Sequence, residues 1–260
     1  MDLKRALAER DPVEATWVSV PHPAVAELAA EQGFDCVFLD AEHTPASVET
    51  VESLVRAVDA GSDGAAASVV RVPWNDPVRI KRALDTGPTG VMVPMVETRE
   101  AAEAFVEATR YPPEGVRGMA AARASGYGAR FAEYVETANE SVVAIAQVET
   151  ERGVENAGDI AALDGLDALF VGPADLGASL GSAPGEDRFE EAVASVVAAA
   201  HDAGVPVGTL ATSTDGIDGW VERGVDFMAV GYDLQYLAEG GEAARGAYRE
   251  AVAEAGDPDE

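Results

Sequence analysis

An α/β fold, built as a single (β/α)8 barrel, is what the sequence predicts, and three observations carry the expectation. Short runs rich in β-branched residues alternate with longer amphipathic segments, the pattern of parallel strands covered by helices. Eight such runs occur within 260 residues, the number a closed barrel needs. A junction repeats ahead of four strands: Gly33-Phe34-Asp35, Gly165-Leu166-Asp167, Gly204-Val205-Pro206 and Gly224-Val225-Asp226. In each, glycine stands where a helix stops in the left-handed conformation, and an apolar residue leads into the strand. An open doubly wound sheet is the alternative arrangement of the same units.

In chain order the runs cover residues 15–20, 36–39, 68–72, 90–94, 142–148, 168–171, 206–210 and 227–230. Several are apolar throughout, which suits strands buried on both faces. A helix is expected over Pro77–Asp85. Residues 110–128, with Pro112-Pro113 and four glycines, do not fit the repeating unit and predict an active-site or interface excursion, the alternative being a mobile surface loop. Residues 255–260 predict a frayed tail. With no linker or shift of composition along it, the chain is expected to form one domain over residues 1–260.

Composition narrows the partners. Asp and Glu number 47 against 18 Lys and Arg, a net charge of −29, and only Lys4 and Lys81 are lysines. Such acidity argues against nucleic acid and anionic membranes. Molar salt shortens the Debye length to about 3 Å and screens the self-repulsion, so a salt-rich, halophilic cytosol is expected; an ordinary acidic enzyme is the alternative. No uncharged apolar run approaches the ~18 residues of a membrane helix. The start, Met1-Asp2-Leu3-Lys4-Arg5, leads into charge, and the single cysteine, Cys36, has no partner, so a reducing cytoplasm is expected.

The chemistry is narrowed by what is missing. Neither lysine stands at a strand end, so a Schiff base is not expected. Gly126-Tyr127-Gly128 follows no strand, and no nucleotide fingerprint is present. Three histidines and one cysteine make a zinc site of nitrogen and sulfur ligands improbable. Barrel enzymes work at the C-terminal ends of their strands. There the sequence places Asp40, Glu42 and His43; Arg71; Gln147 and Glu149; and, after Gly172-Pro173-Ala174, Asp175. Glu149 and Asp175, one βα unit apart, suit Mg²⁺ or Mn²⁺; helix caps or a general acid and base are the alternatives.

The segments Phe38-Leu39-Asp40-Ala41-Glu42-His43-Thr44-Pro45, Val70-Arg71-Val72-Pro73-Trp74-Asn75-Asp76-Pro77, Val93-Pro94-Met95-Val96, Arg110-Tyr111-Pro112-Pro113, Arg117-Gly118, Gln147-Val148-Glu149-Thr150 and Phe170-Val171-Gly172-Pro173-Ala174-Asp175-Leu176, in this order, resemble the HpcH/HpaI aldolase family. The resemblance implies a phosphoenolpyruvate/pyruvate-type barrel and a class II aldolase that needs a divalent metal, Mg²⁺ or Mn²⁺ with Co²⁺ as a further candidate. It would cleave a 4-hydroxy-2-oxo acid, of the 4-hydroxy-2-oxoheptanedioate or 2-keto-3-deoxy sugar acid type, to pyruvate and an aldehyde. By the same resemblance Glu149 and Asp175 hold the metal, and Arg71 contacts the keto oxygen. His43 pairs with Asp85 to move a proton. Gln147 and the backbone at Gly172, Pro173 and Ala174 seat the pyruvyl group, with Trp17 and Leu210 also at the substrate. A homo-oligomer, trimer or hexamer, is implied, with residues 110–128 at the aldehyde pocket and at the neighbouring subunit. The stretch from Met119 to Arg123 is shorter than the family pattern.

Alternatives stand beside these assignments. His43 beside Glu42 would satisfy a buried carboxylate, and Arg71 would form an ion pair across the rim. Asp85 would simply be a C-terminal helix residue, a position unfavourable for the helix dipole. At the level of function, a malyl- or citramalyl-CoA-type lyase and a non-catalytic ligand-binding barrel are the rivals.

Overall fold

The computed structural model describes residues 1–255; beyond its first residue, the tail expected to fray lies outside the described residues. Eight strands form one closed parallel barrel in sequence order. They are β1 (Val13–Val18), β2 (Cys36–Asp40), β3 (Ala67–Arg71), β4 (Gly90–Val93), β5 (Val143–Val148), β6 (Ala168–Val171), β7 (Val207–Leu210) and β8 (Phe227–Tyr232). Helix α1 (Leu3–Glu9) precedes the barrel, and α2 (Pro23–Glu31), α3 (Val48–Gly61), α4 (Pro77–Asp85) and α5 (Arg99–Thr109) follow β1 to β4 in turn. α6 (Phe131–Ser141) leads into β5, α7 (Glu151–Glu155) and α8 (Ala157–Ala161) follow it, and α9 (Pro173–Leu180) and α10 (Asp187–Asp202) follow β6. α11 (Ile217–Glu222) precedes β8, and α12 (Asp233–Ala255) ends the described chain.

All eight expected strands are present; the first lies two residues earlier than its pattern indicates, at Val13–Val18. Its boundary slipped because Val18-Ser19-Val20 continues an alternation that the backbone leaves, where the N–H groups of Ser19 and Val20 turn to Asp233 Oδ2 at 3.0 and 2.7 Å. Gly33, Gly204 and Gly224 do stop their helices in the left-handed region, with φ of 89°, 76° and 84°, whereas Gly165, with φ of 94°, stands in the turn between the end of α8 at Ala161 and β6. The α5–β5 connection holds more order than the sequence signalled, with a 3-10 turn at Arg123–Ser125 and the whole of α6.

Two cores follow from the period of the strands. Cys36 and Phe38, Ala67 and Val69, Val143 and Ile145, and Ala168 and Phe170 fill the barrel, and Leu3, Ala6 and Leu7 of α1 join them. The alternate residues, such as Val37, Leu39, Val70 and Ala144, pack outward against the helices. α12 departs from this scheme. Gln235 is buried, yet from Tyr236 to Ala253 every residue except Gly246 is exposed in the single chain. Among the described residues no helix is long and apolar enough to cross a membrane.

The junction glycines give a direct check. A Cβ at Gly33 would meet nothing within 4 Å, so Gly33→Ala isolates the cost of the positive φ. We expect a loss of about 1 kcal/mol of stability, read from the denaturant midpoint at constant slope.

Candidate active site

The mouth of the barrel is the next layer of its interior. After Phe38, Val69 and Ile145, the following residue of the same parity is Asp40, Arg71 and Gln147, so strand alternation alone carries these polar side chains inward. Beneath them lies an aromatic floor: Trp17 stacks on Phe38 at 5.3 Å, and Phe170 stands 5.9 and 5.6 Å from the two rings. A cavity of about 260 Å³ opens above this floor. Trp17, His43, Arg71, Gln147, Glu149, Gly172, Pro173, Ala174, Asp175 and Leu210 line it, so every expected site residue but Asp85 meets there. Ser19, Asp40, Thr212 and Tyr232 line it as well. Of these, Asp40 was legible as a site residue from the parity of β2, whereas Ser19 and Thr212 lie beyond the ends of β1 and β7, and Tyr232 is the last residue of β8, and none carries a spacing signal.

Arg71 is held from three sides. Asp40 is its register partner across β2 and β3, and takes Nε–H and Nη2–H at 2.9 and 2.8 Å. Glu42 Oε2 lies 3.0 Å from Nη1, an ionic contact without the alignment of a hydrogen bond. The guanidinium sits 4.6 Å over the Trp17 ring. The two hydrogen bonds use two of five N–H groups, and the fork keeps donors on Nη1 and Nη2 for a ligand. The rim ion pair is therefore present, and it orients the guanidinium to which the resemblance assigns the keto oxygen.

Glu149 is more confined. It is 2% exposed, accepts from the Met95 N–H at Oε1 and from Gln147 Nε2 at Oε2, both at 2.8 Å. Met95 adopts φ of 56°, rare for a side chain of its size, and that strained turn aims its N–H at the carboxylate. Burial, together with the charges of Asp175 and Glu42, pushes the Glu149 carboxyl up to about 7, although the Met95 bond and Arg71 oppose this. Glu42 is raised as well, by burial first and despite Arg71 and His43. Gln147 Oε1 is buried with no partner. The mouth is thus rich in hard oxygen donors and short of positive charge. Among the described residues no three His, Cys, Asp or Glu are grouped as a ready-made metal cage. Such a mouth fits Mg²⁺ or Mn²⁺, which take one or two carboxylates and fill the remaining positions with water or substrate oxygen.

His43 stands at the entrance, and its Nε2 is 3.6 Å from Glu42 Oε1. The expected pair with Asp85 does not form within the chain. α4 starts at the strand-end rim and descends for nine residues, about 13 Å, which carries Asp85 toward the other end of the barrel. There Asp85 faces Arg117 Nη2 at 3.6 Å. Arg117 is itself fully buried, lies 4.6 Å from the Tyr111 ring and bonds Tyr134 Oη at 3.1 Å. Within the single chain none of residues 110–128, expected as an active-site or interface excursion, lines the cavity. They are fastened to the flank instead: Arg123 donates to Thr86 O at 2.7 Å and pairs with Asp59, and Tyr127 donates to Glu52 at 3.1 Å.

The family model described as HpcH/HpaI aldolase/citrate lyase matches residues 15–240. The chain belongs to this family. Among the HpcH/HpaI relatives, a 4-hydroxy-2-oxovalerate aldolase of Novosphingobium aromaticivorans is 41% identical over 259 residues, covering 97% of this chain and 96% of that one. A 4-hydroxy-2-oxo-heptane-1,7-dioate aldolase of Salmonella typhimurium is 38% identical, covering 92% and 91%. The crystal structure of an HpcH/HpaI aldolase/citrate lyase family protein from Burkholderia cenocepacia J2315 superposes with a TM-score of 0.91 at 39% identity, over 95% of this chain and 98% of that one.

Gly172 tests how finely the mouth of this HpcH/HpaI barrel is built. A Cβ there would come 2.2 Å from Glu149 Oε2 and 3.1 Å from Gln147 Nε2. Gly172→Ala should displace the Glu149 carboxylate by about an ångström and lower turnover by ~10²-fold. Unchanged far-ultraviolet circular dichroism would localise the damage to the site.

Proposed function

We propose that this chain is a divalent-metal-dependent class II aldolase that reversibly cleaves a 4-hydroxy-2-oxo acid to pyruvate and an aldehyde. The observation that carries the reading is the convergence of Arg71, Gln147, Glu149, Asp175 and His43 on one cavity over an aromatic floor. Relatives named as aldolases, at 38% and 41% identity over nearly the whole chain, support it. Glu149 and Asp175 would hold Mg²⁺, Mn²⁺ or Co²⁺, which supplies positive charge to the 2-oxo group when bound.

The residues have separate tasks. Arg71 points its remaining N–H groups at the 2-oxo oxygen and stabilises negative charge that develops there, with Asp40 fixing the fork beforehand. Gln147 and the backbone at Gly172, Pro173 and Ala174 seat the carboxylate end, and the rings of Trp17 and Phe170 exclude water beneath it. His43 accepts the proton of the 4-hydroxyl, with Glu42 stabilising the imidazolium. The C3–C4 bond then breaks as C4–O becomes the aldehyde carbonyl, and its electron pair enters the C2–C3 enolate. A proton returned to C3 yields pyruvate.

We place the enzyme in a reducing cytoplasm, which suits its one buried, unpaired cysteine. It acts on small molecules, as a homo-oligomer. The exposed length of α12, with Leu237, Tyr248 and Val252 on its surface, supports association with further copies, as a trimer or hexamer.

Pyruvate release from a panel of 4-hydroxy-2-oxo acids, in high KCl with Mg²⁺ or Mn²⁺, tests the reaction. Excess chelator should abolish turnover, the metals should restore it, and full activity in chelator would overturn the metal requirement. Arg71→Lys keeps the charge and loses the fork, so turnover should fall by at least ~10²-fold. His43→Ala should stop cleavage yet preserve methyl-proton exchange of pyruvate in deuterium oxide.

Net charge gives a further check on assembly. At −29 per chain, dialysis from molar KCl to about 0.1 M lengthens the Debye length to roughly 10 Å. The mass seen by light scattering and the activity should then fall before helical circular dichroism does. An active, unchanged oligomer would show that the acidity is incidental.

A further inference from the structure

Glu149 depends on the Met95 N–H, and that N–H is aimed by a backbone conformation that methionine does not keep unaided. The turn in question is the connection from β4 to α5, residues 94–98. The Met95 side chain gives the turn little support, being 39% exposed. Its strain is therefore balanced by contacts made elsewhere in the connection.

Three hydrogen bonds tie the turn to the chain around Glu149. The Val96 N–H donates to Gln147 O at 3.0 Å, Asn156 Nδ2 to Glu97 O at 2.8 Å, and Thr150 Oγ1 to Glu97 Oε1 at 3.0 Å. The third closes a ring. From the Glu149 carboxylate it runs through the Met95 N–H, along Val96 to the Glu97 side chain, across to Thr150 Oγ1 and back over one peptide to Glu149. Thr150 is buried, and its hydroxyl works on both sides: the proton goes to Glu97, while the oxygen accepts from the Gly153 N–H at 3.1 Å and caps α7. α7 lies close against the turn, since a Cβ at Gly153 would come 3.0 Å from Val96 O. Glu97 Oε2 also faces Arg152 Nη1 at 3.6 Å, but Arg152 is exposed, and ion pairs of that kind contribute little.

We propose that Glu97 and Thr150, neither of which lines the cavity, are positioning residues for Glu149: their hydrogen bond keeps Met95 in the left-handed conformation, and the Met95 N–H in turn holds the carboxylate in the pose that binds the divalent cation. The inference rests on the metal-dependent aldolase reading and adds the residues that make its carboxylate ligand rigid. Without the bond Met95 relaxes toward negative φ, its N–H swings off Oε1, and Glu149 keeps only the bond from Gln147. Outer partners of metal ligands are worth about 10–100-fold in affinity.

Titration of the full-length protein with Mn²⁺ in molar KCl, with free Mn²⁺ read by electron paramagnetic resonance, measures binding without turnover. Glu149→Gln supplies the background from surface carboxylates. Thr150→Val keeps the shape and loses the donor, and should weaken the Glu149-dependent site by about 10-fold. Glu97→Ala should do the same, although it leaves the Asn156 bond to the main chain in place. Thr150→Ser and Glu97→Gln keep a donor and an acceptor, and should restore most of the affinity. Glycine carries no penalty at positive φ, so Met95→Gly added to Thr150→Val should recover most of what Thr150→Val loses, which it would not do for a general loss of structure. Unchanged affinity in both Thr150→Val and Glu97→Ala, or a loss that Met95→Gly leaves in full, would overturn the inference alone. A wild type that binds Mn²⁺ no better than Glu149→Gln would remove the metal-dependent reading and this inference with it.

Discussion

Asp40, Glu42, Glu149 and Asp175 crowd one barrel mouth in which Arg71 is the fixed cation, and the rest of the site is arranged around that imbalance. Breaking a buried ion pair by removing one partner costs about 3–5 kcal/mol, because the charge left behind has neither water nor counter-ion. Arg71 answers part of the demand with a bidentate bond to Asp40 and a contact to Glu42. What remains falls on Glu149, whose carboxyl is driven toward neutrality by burial and by its acidic neighbours. The strained Met95 turn and the missing side chain at Gly172 then become intelligible as fixtures that hold a reluctant carboxylate in one pose.

The barrel was legible because its physics is periodic. Strands buried on both faces must be apolar, and helices returning to them need a left-handed stop, so runs and glycines repeat with the unit. The parity of β2, β3 and β5 extends that periodicity into the site, which is why Asp40, Arg71 and Gln147 can be placed from sequence. Legibility ended where chain geometry replaced pattern. Asp85 is separated from His43 by the descent of α4, a distance that no motif encodes. Residues 110–128 are placed by individual long-range ties, among them Arg123 to Thr86 and Tyr127 to Glu52, and α6 behind them buries only Ala138. Ser19 and Thr212 enter the cavity from beyond the ends of β1 and β7, and Tyr232 from the last position of β8, where the repeating pattern stops.

Few bases serve many acids in this chain, and the structure uses them sparingly. Several guanidinium groups bridge elements: Arg10 ties the end of α1 to Asp226 ahead of β8, and Arg223 ties the end of α11 to Glu190 in α10. Lys4 reaches from α1 to Val142 O and Asp167, so one of the two lysines closes the N-terminal end of the barrel. Long-range pairs of this kind hold elements together, whereas the repulsion among exposed carboxylates outside the mouth runs through solvent, where screening governs it.

The stack of Arg71 on Trp17 has a use outside chemistry. Of the three tryptophans, Trp74 is exposed, and Trp220 is buried edge-to-face against Phe189 in the outer helical layer. Trp17 alone touches the reactive mouth, with a cation 4.6 Å above its indole. A charge so near the ring perturbs its excited state. The molecule thereby carries a built-in optical reporter, whose emission registers any ligand that draws Arg71 away, with no dye attached.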